Sequence, residues 1–83
     1  MKLIPINVEC YAGYKADEYP KCFSRGDVRY EISEITDCWY QEDKDPMVPA
    51  ADYFKVKTMD SHQYILRHEI HRDIWYLVIT QGN

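Results

Sequence analysis

Residues 53–68 read YFKVKTMDSHQYILRH, and this stretch decides the fold. Two runs of β-type residues, Tyr53 to Met59 and His62 to His68, flank the polar pair Asp60-Ser61. Aromatic and β-branched side chains favour strands, and a short polar interruption between two such runs favours a hairpin turn. A third β-type run, Ile74 to Thr80, follows after a polar connection. The last third of the chain therefore predicts a three-stranded antiparallel meander.

Strand patterns also occur in the first half of the chain. Ile6 to Tyr11 alternates apolar and polar residues, and Val28, Tyr30 and Ile32 form the apolar face of a further strand. The apolar phase of that strand slips at Ser33-Glu34, which predicts a bulge. No window of the chain has the capped three-and-four apolar spacing of a helix.

Three segments have the composition of connections. Tyr14 to Lys21 predicts a loop or a single helical turn that ends at Pro20. Residues 24–27 have turn composition, and Gly26 can adopt a positive φ without steric cost. Residues 42–51 predict an acidic, proline-containing loop in solvent. The whole pattern predicts an all-β protein with one small domain over residues 1–83. Five to six antiparallel strands in meander order would close into a small barrel or a strongly bent sheet, on the scale of SH3-like modules.

Charge and cysteine content exclude several classes of protein. The net charge is −4, and the acidity is concentrated in residues 31–50. This balance excludes a basic domain that binds duplex DNA tightly. The widely spaced cysteines Cys10, Cys22 and Cys38 form no C-x-x-C motif, so they predict reduced thiols in the cytoplasm and no disulfide framework. The longest apolar run, Ile74 to Ile79, is much shorter than the ~20 residues that span a bilayer, so no membrane association is expected.

A two-residue turn at Asp60-Ser61 would place Met59 opposite His62 and would give the hairpin two distinct faces. One face would carry Phe54, Val56, Thr58, Gln63, Ile65 and Arg67. The other would carry Met59, Leu66 and the candidate binding residues Tyr53, Lys55, Lys57, His62, Tyr64 and His68. Tyrosines that stack bases beside lysines that neutralise phosphates are typical of single-strand nucleic-acid binders. The alternative is that the tyrosines pack on the sheet and the lysines keep it soluble, and a longer turn would change the register.

Two aromatic pairs, Trp39-Tyr40 and Trp75-Tyr76, suggest a different binding surface. Neighbours on a strand point to opposite faces, so one member of each pair is expected in the core and the other at the surface. Outward aromatics that cluster would suit a peptide or a partner protein, and ordinary half-buried aromatics are the alternative.

Metal binding and catalysis have weaker support in the sequence. His62, His68 and His71 could join cysteines in a zinc site, but His68 and His71 would lie on opposite faces of one strand. The serines lack a nucleophile context. We therefore predict no catalytic residue, no metal and no cofactor.

A series of short blocks, in this order, resembles a family of short bacterial cytoplasmic proteins of unknown function. The blocks are residues 16–20 (ADEYP), Phe23, residues 29–32 (RYEI), 37–40 (DCWY), 53–56 (YFKV), 64–66 (YIL) and 73–77 (DIWYL). The resemblance covers residues 8 to 77 and implies a bacterial origin and a small β-fold. It assigns no catalytic or binding residue.

These observations predict a non-enzymatic binding or accessory module. Its partner would be a protein or peptide met by exposed aromatics. The alternative is single-stranded nucleic acid bound by the tyrosines and lysines of the hairpin at residues 53–68, and a metal site or small enzyme ranks third.

Overall fold

The computed structural model describes residues 2–10 and 19–79, and all the regular secondary structure in them is β-strand. The strands are β1 (Lys2–Cys10), β2 (Pro20–Arg25), β3 (Val28–Gln41), β4 (Ala51–Thr58), β5 (Gln63–Glu69) and β6 (Ile74–Ile79). Each strand pairs antiparallel with the next, and β6 pairs with β1, so the sheet closes into a barrel. The predicted all-β class, the meander order and the barrel are confirmed. Within the described ranges, no helix is long and apolar enough to cross a membrane.

Strand β2 corrects one sequence prediction. The segment up to Lys21 was expected to be a loop or a helical turn, but Pro20–Arg25 is a strand paired with both β1 and β3. Pro20 lies at the first position of the strand, where its missing N–H costs little, and its partner is Cys10 at an irregular end of the ladder. The remainder of that prediction, residues 14–18, lies outside the described residues. The turn after β2 is confirmed, since Gly26 has a φ of 60°.

Strand β3 is bent by two irregularities. The register with β4 shifts between Ile32 and Glu34, as the apolar phase predicts, and again between Ile35 and Asp37. The first shift allows Ile32 and Ile35 to pack against the same core although their spacing is odd. The bend has a structural consequence: the first part of β3 pairs with β2, and the later part pairs with β4.

The barrel interior holds the main hydrophobic core. Its buried members are contributed by four strands: Phe23, Phe54, Val56, Leu66, Trp75 and Leu77. Aromatic rings connect its layers, since Phe23 stacks on Tyr30 at 4.9 Å and meets the edge of Tyr64 at 5.5 Å. Burial of one such large side chain contributes about 1.5–3 kcal/mol, so this cluster is the main source of stability.

The β4–β5 hairpin differs from the predicted register by one residue. Val56 pairs with Tyr64, so Thr58 lies opposite His62, and the turn has three residues, Met59 to Ser61. The Thr58 N–H donates to the His62 carbonyl at 2.9 Å, and the Ser61 N–H donates to the Thr58 carbonyl at 2.9 Å. The predicted pairing of Met59 with His62 is therefore wrong. A slip of one residue moves every side chain of β5 to the other face relative to β4.

The acidic connection between β3 and β4 covers residues 42–50, because Ala51 is the first residue of β4 and is buried. Asp45 organises part of this loop. Its carbonyl accepts from the Val48 N–H at 3.0 Å and its side chain accepts from the Met47 N–H at 2.9 Å.

Candidate functional site

The six candidate residues of the hairpin do not form one surface. Tyr64 faces the barrel interior with Phe23, and His68 is 5 % exposed and stacks on Trp75 at 4.2 Å. The Nε2 atom of His68 lies 2.8 Å from Oδ1 of Asp73, which fixes the ring. His62 lies beside the turn. The three-residue turn explains this separation, because it turns Tyr64 and His68 away from the face of Tyr53.

The other three candidates, Tyr53, Lys55 and Lys57, lie on the outer face. Each lysine is the cross-strand partner of an acidic residue of β3. Lys55 pairs with Asp37, and Lys57 pairs with Glu34. Opposite charges directly across strands attract each other. Lys55 and Tyr64 do line a common pocket of about 330 Å³ with Gln63, Ile65, Val78 and Ile79. The candidate residues for single-stranded nucleic acid are therefore divided between the two faces of the sheet and the β4–β5 turn.

The outer face instead carries a continuous row of large side chains. Trp39 of β3, Tyr53 of β4, Arg67 of β5 and Tyr76 of β6 are successive partners in register, and we call them the aromatic row. The rings of Trp39 and Tyr53 stack at 5.3 Å with an angle of 6°. The guanidinium carbon of Arg67 lies 5.9 Å from the ring centre of Tyr53 and 5.8 Å from that of Tyr76. Cation–π attraction to Arg67 therefore joins Tyr53 to Tyr76.

A buried ionic network holds the centre of the aromatic row. Arg67 donates from Nε to the Tyr53 hydroxyl at 3.1 Å, from Nη2 to the Pro49 carbonyl at 2.9 Å, and from Nη1 to Glu69. The side chains of Arg67 and Glu69 are only 5 % and 4 % exposed. Glu69 also accepts from Nε of Arg72 at 2.8 Å. Arg67 thus holds the Tyr53 hydroxyl, and Glu69 in turn holds Arg67.

The charge state of Glu69 follows from the same contacts. Burial alone would raise the pKa of its carboxyl group, but the hydrogen bonds and positive charges of Arg67 and Arg72 outweigh burial and lower that pKa. Glu69 is therefore ionised at neutral pH and compensates the buried guanidinium.

A pocket opens at the Trp39 end of the aromatic row. It has a volume of about 280 Å³. We call it the aromatic pocket, and its lining residues are Tyr19, Cys38, Trp39, Tyr40, Asp52, Tyr53 and Phe54. Tyr19, Trp39 and Tyr40 are 49 %, 37 % and 56 % exposed, so the pocket is accessible from solvent. Among the lining residues that the structure describes, Asp52 is the only charged one.

Beside this pocket, one edge of β3 pairs with no strand that the structure describes. β2 pairs with β3 only as far as Glu31, and residues 36–41 pair with β4 on one side and are exposed throughout. In the described parts of the chain, no strand pairs with the other side of that segment. The Cys38 N–H donates at 2.8 Å to the side chain of Asp37. Among the described residues, this edge of β3, which carries Trp39 and Tyr40, is therefore not covered by another strand.

The sequence predicted that one member of each aromatic pair, Trp39-Tyr40 and Trp75-Tyr76, lies in the core. Trp75 enters the core at 7 % exposure and Tyr76 lies in the outer row, so the prediction for this pair is confirmed. Trp39 and Tyr40 are both exposed, so the prediction that one of them enters the core is wrong. The physical reason is that this end of β3 is paired with β4 alone.

Sequence reasoning missed three features of the site. Nothing in the local pattern places Tyr19 or Asp52 beside Trp39, because Asp52 comes there through the register of β4 on β3, and Tyr19 directly precedes β2. The ionic network did have a sequence signal, since Arg67 and Glu69 are two residues apart on one strand and therefore share a face. Over residues 2–10 and 19–79, no group of three or more His, Cys, Asp or Glu residues could hold a metal ion.

A comparison with protein-family models found no match, and neither did comparisons with curated proteins and with solved structures. The resemblance to short bacterial cytoplasmic proteins therefore stays a prediction. The function has to be argued from the geometry of this chain.

Proposed function

We propose that the protein is a non-enzymatic binding module that accepts an extended segment of a partner protein along the edge of β3. The observation that carries this proposal is the coincidence of an exposed strand edge, residues 36–41, with two exposed aromatic side chains, Trp39 and Tyr40. An added strand gains affinity from main-chain hydrogen bonds and specificity from pockets for alternate side chains. The aromatic pocket lies where one such side chain would project.

The aromatic row supports this role because it is already ordered. Trp39 stacks on Tyr53, and its indole N–H donates to Gln41 at 3.3 Å. Tyr53 is itself held by Arg67. Side chains that are fixed before binding lose little conformational entropy on association, and tryptophan and tyrosine are enriched among the residues that dominate interface energies.

The proposal is tested by selecting random peptides of about eight residues, which exceeds the usual strand length of about 5–6. Selected peptides are then methylated on one backbone nitrogen at a time. Alternate N–H groups of an added strand face β3, so methylation should weaken binding at every second position and leave the others nearly unchanged. A peptide that adds no strand would show no such alternation.

Substitutions on the protein locate the site. Trp39→Ala should weaken binding of the selected peptides by about tenfold or more, in line with the loss at a dominant interface residue. Met59→Ala is the matched control, because Met59 is exposed and apolar but lies at the β4–β5 turn. Equal losses in the two variants, or failure to select any peptide, would refute the proposal.

We also propose a cytoplasmic location. Cys38 is an exposed cysteine without a disulfide, and such a thiol persists in a reducing compartment.

A further inference from the structure

The aromatic pocket is lined mainly by aromatic side chains. Of the lining residues that the structure describes, five are aromatic and one is charged, the acidic Asp52. The Asp52 carboxylate makes no hydrogen bond or ion pair with any residue that the structure describes. A pocket of about 280 Å³ lies just below the lower end of ligand clefts, about 300 Å³, so it suits a single side chain.

The electrostatic surroundings of the pocket are negative. Residues 31–50, which include the β3 edge, contain most of the excess acidic charge of the chain. Glu42 lies at the rim, where its Oε2 accepts from the Tyr40 hydroxyl at 3.3 Å. Partial burial, then the carboxylates of Glu42 and Asp52, raise the pKa of the Tyr40 hydroxyl.

We infer that the aromatic pocket binds the cationic end of a lysine or arginine side chain, so that the partner segment is basic. The inference rests on the proposed function and specifies its partner. Aromatic faces attract cations through the ring quadrupole, and a nearby carboxylate adds direct charge attraction. The same barrel already uses this chemistry, because Arg67 lies over the rings of Tyr53 and Tyr76. A neutral or acidic side chain would lose both contributions.

The first test uses single amino-acid derivatives, which occupy a pocket without adding a strand. N-acetyl-arginine amide, N-acetyl-lysine amide and the neutral isostere N-acetyl-citrulline amide are titrated into the labelled protein, and amide and indole shifts are followed. We expect saturable shifts at Tyr19, Trp39 and Tyr40 with a basic derivative, and binding at least about tenfold weaker for citrulline. Equal shifts for citrulline, or none for either cation, would overturn the inference.

Two variants separate the pocket from general charge effects. Asp52→Asn keeps the side-chain shape and should weaken arginine amide several-fold. Asp27→Asn is the control, since it removes the same charge from the exposed β2–β3 turn and should leave affinity unchanged. Affinity should also fall with added salt, since exposed charge pairs are screened. An equal loss in both variants would contradict a specific role for Asp52.

The selected peptides separate this inference from the proposed function. Peptides that show alternate methylation sensitivity but carry no lysine or arginine would refute the cation site and leave strand addition intact. Binding of arginine amide without any strand-adding peptide would refute the proposed function and leave the cation site intact. Enrichment of a basic residue at one fixed position, lost in Asp52→Asn, would support both.

Discussion

Replacement of Glu69 by Gln should destabilise the barrel strongly, because it leaves the Arg67 guanidinium buried without its counter-charge. Both side chains are at most 5 % exposed. Breaking a buried ion pair by removing one partner costs about 3–5 kcal/mol, and the amide oxygen of Gln can still accept one hydrogen bond, so we expect about 3 kcal/mol. A domain of 83 residues has a total stability of about 4–12 kcal/mol. Glu69→Gln should therefore remove a large part of it.

The chain contains a matched control. Arg29 and Glu31 are also an arginine and a glutamate two residues apart on one strand, with Nε and Oε2 at 2.6 Å, but their side chains are 53 % and 48 % exposed. Glu31→Gln should cost less than about 1 kcal/mol, the usual limit for an exposed pair. Urea unfolding of the two variants and of the wild type measures the difference. A loss below about 1 kcal/mol for Glu69→Gln, or equal losses in both variants, would refute the argument.

Lowering the pH should reduce the difference in unfolding free energy between the wild type and Glu69→Gln. The pKa of Glu69 is lowered in the folded state, so its stabilisation is complete above the ordinary glutamate value of 4.5 and is lost as the pH falls through the lowered value. The gap in unfolding free energy between wild type and Glu69→Gln should be constant from neutral pH down to about 5 and should narrow in stronger acid. If this free-energy gap widens as the pH falls, the pKa of Glu69 is not lowered in the folded state.

Three further predictions concern the turns and the core. Ser61 has a φ of 71°, so Ser61→Gly should stabilise the hairpin by about 0.5 kcal/mol in urea unfolding. Gly26 has a φ of 60° with no atom within 4 Å of an added Cβ, so Gly26→Ala should cost about 1 kcal/mol from backbone conformation alone. Leu66 is 0 % exposed, so Leu66→Ala should cost about 2–5 kcal/mol, against less than about 1 kcal/mol for Leu3→Ala at 36 % exposure.

The sequence predicted strands correctly where one face of the strand is exposed to solvent. In β3 the alternation of apolar and polar residues identified the strand and also its first bulge, because the phase slip at Ser33 is visible in the residues themselves. Strand β2 is short and begins at a proline, so its local pattern resembled a loop. Its strand character comes from pairing on both sides, which no local pattern can report.

The hairpin register could not be predicted for a different reason. Strand β5 buries both faces, since Leu66 faces the interior while Arg67 and Glu69 are buried on the outer side. The period-two signal disappears when both faces are buried, so the sequence alone gave no basis for choosing between a two-residue and a three-residue turn. The turn is fixed by Ser61 in the left-handed region and by the Thr58–His62 pairing. These contacts decided which side chains reach the outer face.

The aromatic row links the stability of the barrel to the proposed binding site. Glu69 holds Arg67, Arg67 donates to the Tyr53 hydroxyl, and Tyr53 supports Trp39 by stacking. Loss of Glu69 should therefore loosen Trp39 and weaken peptide binding even at temperatures where the variant is folded. Trp39 is the exposed end of this chain of contacts, so Trp39→Ala should weaken binding by the same factor, about tenfold or more, with little loss of stability. The two variants together distinguish a residue that contacts the partner from one that positions the contact.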